Sequence, residues 1–212
     1  MGNFMRSLAN EILSRIGPGR RFLAVDGVDG SGKTTFTDKL VAELHDRAVV
    51  VIHTDDFLNP SAVRYAKGRT SPEGFWADSY NYSALRDQVL VPLGPTGDGK
   101  YSPSSYDSRA DRSEPAPYVQ APMDALVIVE GMFLHRDELA HFWDASVYLD
   151  VPFTETAARM AVRNASNPDP EHPTMRRYVG GQRLYFQAAR PWERATFLVD
   201  NTDFSSPKLM RP

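Results

Sequence analysis

Apolar residues recur at helical spacing over the first sixteen positions. Phe4, Leu8, Ile12 and Ile16 stand four apart, with Met5, Ala9 and Leu13 beside them. One wide apolar stripe at this period predicts an amphipathic helix laid on a core. Gly17-Pro18-Gly19 ends it. The pattern then changes. Phe22–Val25, Ala48–Ile52, Ala125–Val129, Ser146–Leu149 and Thr196–Val199 are short apolar runs that do not alternate with polar residues. Runs of that kind predict strands buried on both faces of a parallel sheet. Helical patterns lie between most of them, at about Thr35–Asp46, Tyr82–Val91, Arg136–Phe142, Thr154–Arg163 and Met175–Ala189. Strands alternating with helices imply a three-layer α/β fold.

Two stretches break this alternation. Pro92 to Pro122 is rich in proline and carries Tyr101, Tyr106 and Tyr118. The tyrosines favour an ordered substrate-side insertion over disorder. Asn164 to Thr174 is polar, contains Pro168, Pro170 and Pro173, and precedes Arg176-Arg177. Both a mobile lid, over about 159–177, and a plain connector fit that composition. The length of 212 residues suits a single domain carrying these two features.

Composition narrows the classes. Hydrophobic residues make up 42% and charged residues 24%, as in a globular chain with a sizeable core. A net charge of −3 favours neither nucleic acid nor an anionic membrane as a general partner. The absence of cysteine excludes disulfides, thiolate metal sites and a thiol nucleophile. No apolar run has membrane-spanning length. Arg6, Glu11 and Arg15 interrupt any signal-peptide core, and Arg6 stands where myristoylation needs Ser or Thr. The expected location is cytoplasmic, and a homo-oligomer is compatible with the chain.

The candidate chemistry begins at Gly27-Val28-Asp29-Gly30-Ser31-Gly32-Lys33-Thr34-Thr35. This is G-x-x-x-x-G-K-[ST] between a predicted strand and a predicted helix. Glycines let successive backbone N–H groups turn toward a phosphate chain, and the helix N-terminus adds partial positive charge. Gly27, Asp29, Gly30, Ser31, Gly32, Lys33, Thr34 and Thr35 are therefore candidates for binding ATP. Lys33 would reach the β- and γ-phosphates, and the Thr34 hydroxyl would ligate Mg²⁺.

An open α/β sheet places ligands at the carboxyl ends of its strands. The second predicted strand ends in His53-Thr54-Asp55-Asp56. These adjacent carboxylates suit a general base and a metal contact, but diverging side chains let only one face the site. His53 reads as a packing residue. The third strand ends in Glu130-Gly131, an apolar strand capped by a carboxylate that could hold Mg²⁺. Arg159 and Arg163 share a helix face, and Arg176 and Arg177 follow the polar loop. Cations there could neutralise a migrating phosphoryl group.

Four stretches, Asp26–Thr35, Thr54–Phe57, Glu130–Leu134 and Thr156–Asn164, together resemble the uridine kinase family of P-loop kinases, whose relatives include phosphoribulokinase and bacterial pantothenate kinase. The resemblance implies a nucleoside-kinase-like α/β/α fold with a parallel five-stranded sheet. It also implies ATP, Mg²⁺ and γ-phosphoryl transfer to a small-molecule hydroxyl, foremost that of a nucleoside such as uridine or cytidine. Carried onto this chain, Asp55 is the base close to Mg²⁺, Thr34 and Glu130 are metal-site residues, and Arg163 is a lid arginine. Asp78 falls near the family's ribose-binding aspartate. Asp56, Tyr106, Arg176 and Arg177 are further acceptor-site candidates.

The chain also departs from the family. Tyr106-Asp107 is followed by Ser108-Arg109-Ala110-Asp111-Arg112, without the family's histidine, and Asn164–Thr174 replaces a Glu-Arg-Gly-Arg lid stretch. Both changes touch acceptor recognition or phosphate clamping. Pantothenate, a sugar or a sugar phosphate are thus alternative acceptors, and a nucleotide-binding switch ATPase is the rival from another class. Gln182, Arg183 and Tyr185 look site-like but have no assigned role.

Overall fold

The computed structural model describes residues 2–211. At its centre β1 (Arg21–Gly27), β2 (Val49–His53), β3 (Leu126–Gly131), β4 (Ala145–Asp150), β5 (Phe197–Asp200) and β6 (Lys208–Arg211) form one sheet in the order β6-β5-β4-β1-β3-β2. The first five strands pair in parallel, and β6 runs antiparallel to β5. The sheet thus has six strands where five were expected. β6 is mostly exposed and lacks the buried apolar run that marks the other five. Arg211 secures it by donating to the carbonyls of Trp192 at 2.8 Å and Ala195 at 2.6 Å.

Alternation within each strand builds a core on both sheet faces. Leu23, Val25, Ile128 and Val147 pack on one face against Met5, Leu8 and Ile12 of α1 (Gly2–Ile16) and Phe36 and Leu40 of α2 (Lys33–Val41). Phe22, Ala24, Val127 and Val129 pack on the other, against Leu85, Val89 and Leu139. Each large apolar side chain so buried contributes about 1.5–3 kcal/mol. Helices on both faces complete three layers.

Several boundaries shift from those expected. α2 stops at Val41, and residues 42–46 are not helical. The helical stretch from Tyr82 runs to Leu93, but Arg86–Leu90 is wound as a π-helix. Pro92 lacks an N–H and interrupts the regular ladder there. Between 136 and 142 only Asp137–Ala140 is helical. In the proline-rich stretch, Lys100–Tyr101 pairs with Val119–Gln120, and Tyr106–Asp107 pairs with Arg112–Ser113.

α3 (Pro72–Asp78) was not expected. Ser71 Oγ accepts the Gly74 N–H at 3.0 Å, and Pro72 opens the first turn. α4 (Phe153–Asn164) and α5 (Arg176–Ala189) follow β4. Phe75, Tyr80, Phe133 and Tyr185 form an aromatic cluster between α3 and α5. Among the described residues, no helix is long and apolar enough to cross a membrane.

β1 is flanked by β3 and β4, so the strand order reverses around it and a crevice opens beyond the strand ends. Register then sets the site. His53 lies opposite Glu130, and Asp26 lies opposite Gly131.

Candidate active site

The loop after β1 turns on Gly30 (φ 78°) and Gly32 (φ 88°), both left-handed. A Cβ on Gly32 would also lie 2.3 Å from the Phe204 ring. Over this loop opens a cavity of about 270 Å³, with Gly30, Gly32, Lys33, Thr34 and Thr35 on its wall. Asp29, Asp55, Glu130 and Arg163 line it as well.

Not every expected phosphate contact faces this cavity. Gly27 and Ser31 do not line it; the Gly27 amide donates to Asp26 Oδ1 at 2.7 Å, and the Ser31 amide to the Val28 carbonyl at 3.1 Å. The Asp29 amide donates to Gln182 Oε1 at 2.8 Å. These three N–H groups shape the loop and already have partners. Lys33 Nζ rests on the carbonyls of Gly27 (3.1 Å) and Val28 (3.0 Å).

The Thr34 hydroxyl donates to Glu130 Oε1 at 3.0 Å, and His53 Nδ1 donates to the same oxygen at 2.6 Å. His53 is therefore half-exposed and bound to the site carboxylate, not a packing residue. Its hydrogen bond to Glu130 raises the His53 pKa above the ordinary value. Burial would raise the Glu130 carboxyl, but His53, Lys33 and Thr34 outweigh it and hold it below the usual range.

The structure separates the adjacent carboxylates, but on a 3-10 turn over Thr54–Phe57 and not on the extended chain that was expected to split them. Asp55 lines the cavity and Asp56 does not. The buried Tyr80 hydroxyl donates to Asp55 Oδ1 at 3.0 Å. Asp55 also lines a second cavity, of about 200 Å³, together with Arg64, Tyr65, Phe75, Tyr80 and Arg177.

The remaining candidates are dispersed. Arg163 Nη2 donates to Asp29 Oδ1 at 3.1 Å. Arg159 is held by Glu155 and by the carbonyls of Asn201 and Thr202, with its guanidinium 3.7 Å from the centre of the Phe204 ring. Arg176 is exposed and lines neither cavity, whereas Arg177 is buried at the second. Asp78 is not brought to the cavities, because Lys67 Nζ holds both its oxygens at 2.9 and 2.7 Å. Tyr106 lies behind Arg64, accepting from its Nη2 at 3.2 Å and donating to Asp111 at 2.7 Å.

Sequence reading singled out Tyr185 without a role and passed over the rest of a buried network that it joins under the loop. Asp26, fully buried at the end of β1, accepts from the amides of Gly27, Leu134 and His135 and from the Tyr185 hydroxyl. His135 bridges Asp26 Oδ2 (2.7 Å) and Ser146 Oγ (2.9 Å). The available signal was a carboxylate directly before the glycine loop at the end of an apolar strand. A buried carboxylate there needs several donors.

No protein-family model matches the chain. A chloroplastic uridine/cytidine kinase of Arabidopsis thaliana is 25% identical over 147 residues, which cover 66% of this chain and 28% of that protein. The match thus spans under a third of the curated relative's length. A solved structure described as a possible uridine kinase from Bacillus stearothermophilus has a TM-score of 0.72 and 25% identity, covering 92% of this chain and 97% of that one. Phosphoribulokinase from Rhodobacter spheroides has a TM-score of 0.58 at 18% identity, over 85% of this chain and 70% of that one. The strand order, the glycine loop before α2 and these likenesses agree: the chain has the fold of the uridine kinase-like P-loop kinases.

Proposed function

We propose that this protein is a kinase that transfers the γ-phosphoryl group of ATP, with Mg²⁺, to a hydroxyl of a small molecule. One observation carries the reading. Asp55 lines both the cavity over the P-loop and the adjoining aromatic cavity. Its carboxylate therefore stands where a phosphoryl donor and an alcohol acceptor would meet. Asp29 borders both cavities too, but it is paired with Arg163.

The residues present fit Mg²⁺. Among the described residues, no group of three or more His, Cys, Asp or Glu is arranged to hold a metal. Mg²⁺ needs no such cage, since it binds one or two protein oxygens and takes the rest from phosphates and water. The Thr34 hydroxyl and the Glu130 carboxylate would hold it, with Asp55 nearby. When bound, the ion would neutralise charge on the phosphates.

The chain's own groups then divide the work. Lys33 would leave the Gly27 and Val28 carbonyls for the β- and γ-phosphates. Arg163 would add positive charge at the transferring group. A third cavity, of about 230 Å³, borders Gly32, Arg159 and Phe204 and offers space for the nucleotide base. Asp55 would accept the proton of the attacking hydroxyl, while Tyr80 fixes its orientation. A nucleoside is the acceptor implied by the resemblance, and Tyr65, Phe75 and Tyr178 supply aromatic walls for a ring.

The test is ADP release from ATP and Mg²⁺ across a panel of hydroxyl compounds. Release stimulated by an acceptor is expected. Release indifferent to every small molecule, but raised by a protein partner, would favour the switch ATPase instead.

A further inference from the structure

We infer that His53 is a positioning residue. Its imidazole holds the Glu130 carboxylate in the one orientation that serves Mg²⁺ uptake with a nucleotide in the cavity over the glycine loop. This rests on the kinase reading for the metal, and it needs only the donor half of that reading.

The pair is built by the sheet. His53 ends β2 and lies directly opposite Glu130 of β3. One residue further on, a Cβ at Gly131 would overlap the Thr54 side chain, so the two strand ends are packed in close contact. A slip of one residue would turn His53 to the other face of the sheet, away from Glu130.

The hydrogen bonds divide the carboxylate between two tasks. His53 Nδ1 donates to Oε1 at 2.6 Å, and the Thr34 hydroxyl donates to the same oxygen at 3.0 Å. Among the described residues nothing donates to Oε2, and Glu130 lines the cavity. Donors from β2 and α2 thus fix Oε1 and leave Oε2 for a cation. The Thr34 proton is committed to Oε1 as well, which leaves that hydroxyl's lone pairs free at the cavity wall.

Burial does not force the His53 contact. The imidazole is 42% exposed on the edge strand of the sheet, where water can reach it. Among the described residues, Glu130 is its one hydrogen-bond partner. The Glu130 side chain is only 8% exposed, so the carboxylate is the group that needs its donors. A donor behind a metal-binding group fixes its orientation and tunes its basicity. The rival role for His53 is competition, in which the imidazole occupies an oxygen that the metal requires. That role has the opposite sign, since removing the imidazole would then tighten Mg²⁺ uptake.

Calorimetric titration with a non-hydrolysable ATP analogue, with and without Mg²⁺, tests this. The proteins are the parent, His53→Ala and His53→Asn, each checked for a cooperative melt. The amide nitrogen of Asn takes the place of Nδ1 and keeps a donor there. Affinity without the metal should be little changed. The gain in affinity on adding Mg²⁺ should fall about tenfold in His53→Ala and return in part in His53→Asn.

No Mg²⁺ gain in the parent, or a gain in His53→Ala as large as the parent's or larger, would overturn the inference. So would an equal loss with and without the metal, which would mark a general defect of the loop, or equal losses in the Ala and Asn variants. Turnover separates the two readings. A Mg²⁺ gain that depends on His53, with no acceptor stimulating ADP release, leaves this inference standing and sinks the kinase reading. Acceptor-stimulated ADP release, with a Mg²⁺ gain in His53→Ala that matches the parent's, does the reverse.

Discussion

Gln182 Oε1 accepts the backbone N–H of Asp29 at 2.8 Å, tying helix α5 to the phosphate-binding loop across most of the chain. A second tie lies beside it, from the Tyr185 hydroxyl to Asp26. The loop is therefore held from behind by a helix that also presents Arg177 to the second cavity. Gln182 is itself anchored through Nε2 to the Tyr178 carbonyl at 3.0 Å. Gln182→Leu removes the acceptor and leaves the Asp29 amide unpaired. The expected loss is about 1–3 kcal/mol in denaturant unfolding, with weakened ATP binding. Unchanged stability and ATP affinity would show that the tie does not shape the loop.

Gly32 faces two constraints at once, a left-handed backbone and the Phe204 ring. Gly19 has a similar φ of 80° but open space where its Cβ would go. Gly19→Ala should therefore cost only about 1–2 kcal/mol of backbone strain. Gly32→Ala should cost more and abolish measurable ATP binding. Equal melting temperatures for the two variants would contradict the steric account.

Tyr80 acts on Asp55 through its hydroxyl. Tyr80→Phe keeps the aromatic packing with Phe133 and removes only that hydrogen bond. The kcat should fall about tenfold, with ATP KM little changed, because the oriented carboxylate is lost while the donor cavity is intact. A parent-like kcat would assign Tyr80 to packing alone.

Asp111 joins the 106–113 ladder to Ser61. Hydrogen bonds from the Ser61 hydroxyl, Tyr106 and the Ser61 amide pull its pKa down to about 2. The folded value lies below the unfolded one, near 3.9. The stabilising contribution is thus present above about pH 4 and lost as pH falls through about 2. A carboxyl-carbon NMR titration should place the Asp111 midpoint near 2. A midpoint near 3.9 would mean these bonds are not formed in solution.

Most of the architecture was readable from local pattern. Runs such as Leu126–Val129 are buried on both faces, and that leaves a clear apolar signature. β6 left none, because Lys208–Arg211 is an exposed edge held by pairing and by Arg211. The wall of the cavity over the glycine loop was readable because Gly30, Gly32, Lys33 and Thr34 fall in one short stretch. The lining of the second cavity was not. Asp78 reads as a ligand in one dimension, but Lys67 occupies it. Arg64 gave no sign, because its place depends on contacts with Tyr106 and Arg177 from distant segments. His53 read as packing since only β-register reveals Glu130 opposite it. Long-range pairing decides those roles, and local periodicity does not encode it.

The central claim concerns Asp55 as the base between donor and acceptor. The most direct measurement is single-turnover phosphoryl transfer by Asp55→Asn, beside direct ATP binding, with an acceptor that stimulates the parent. Loss of a positioned base predicts a fall of about 10²–10⁴ in rate with ATP affinity preserved. Transfer by Asp55→Asn near the parent rate would contradict the account.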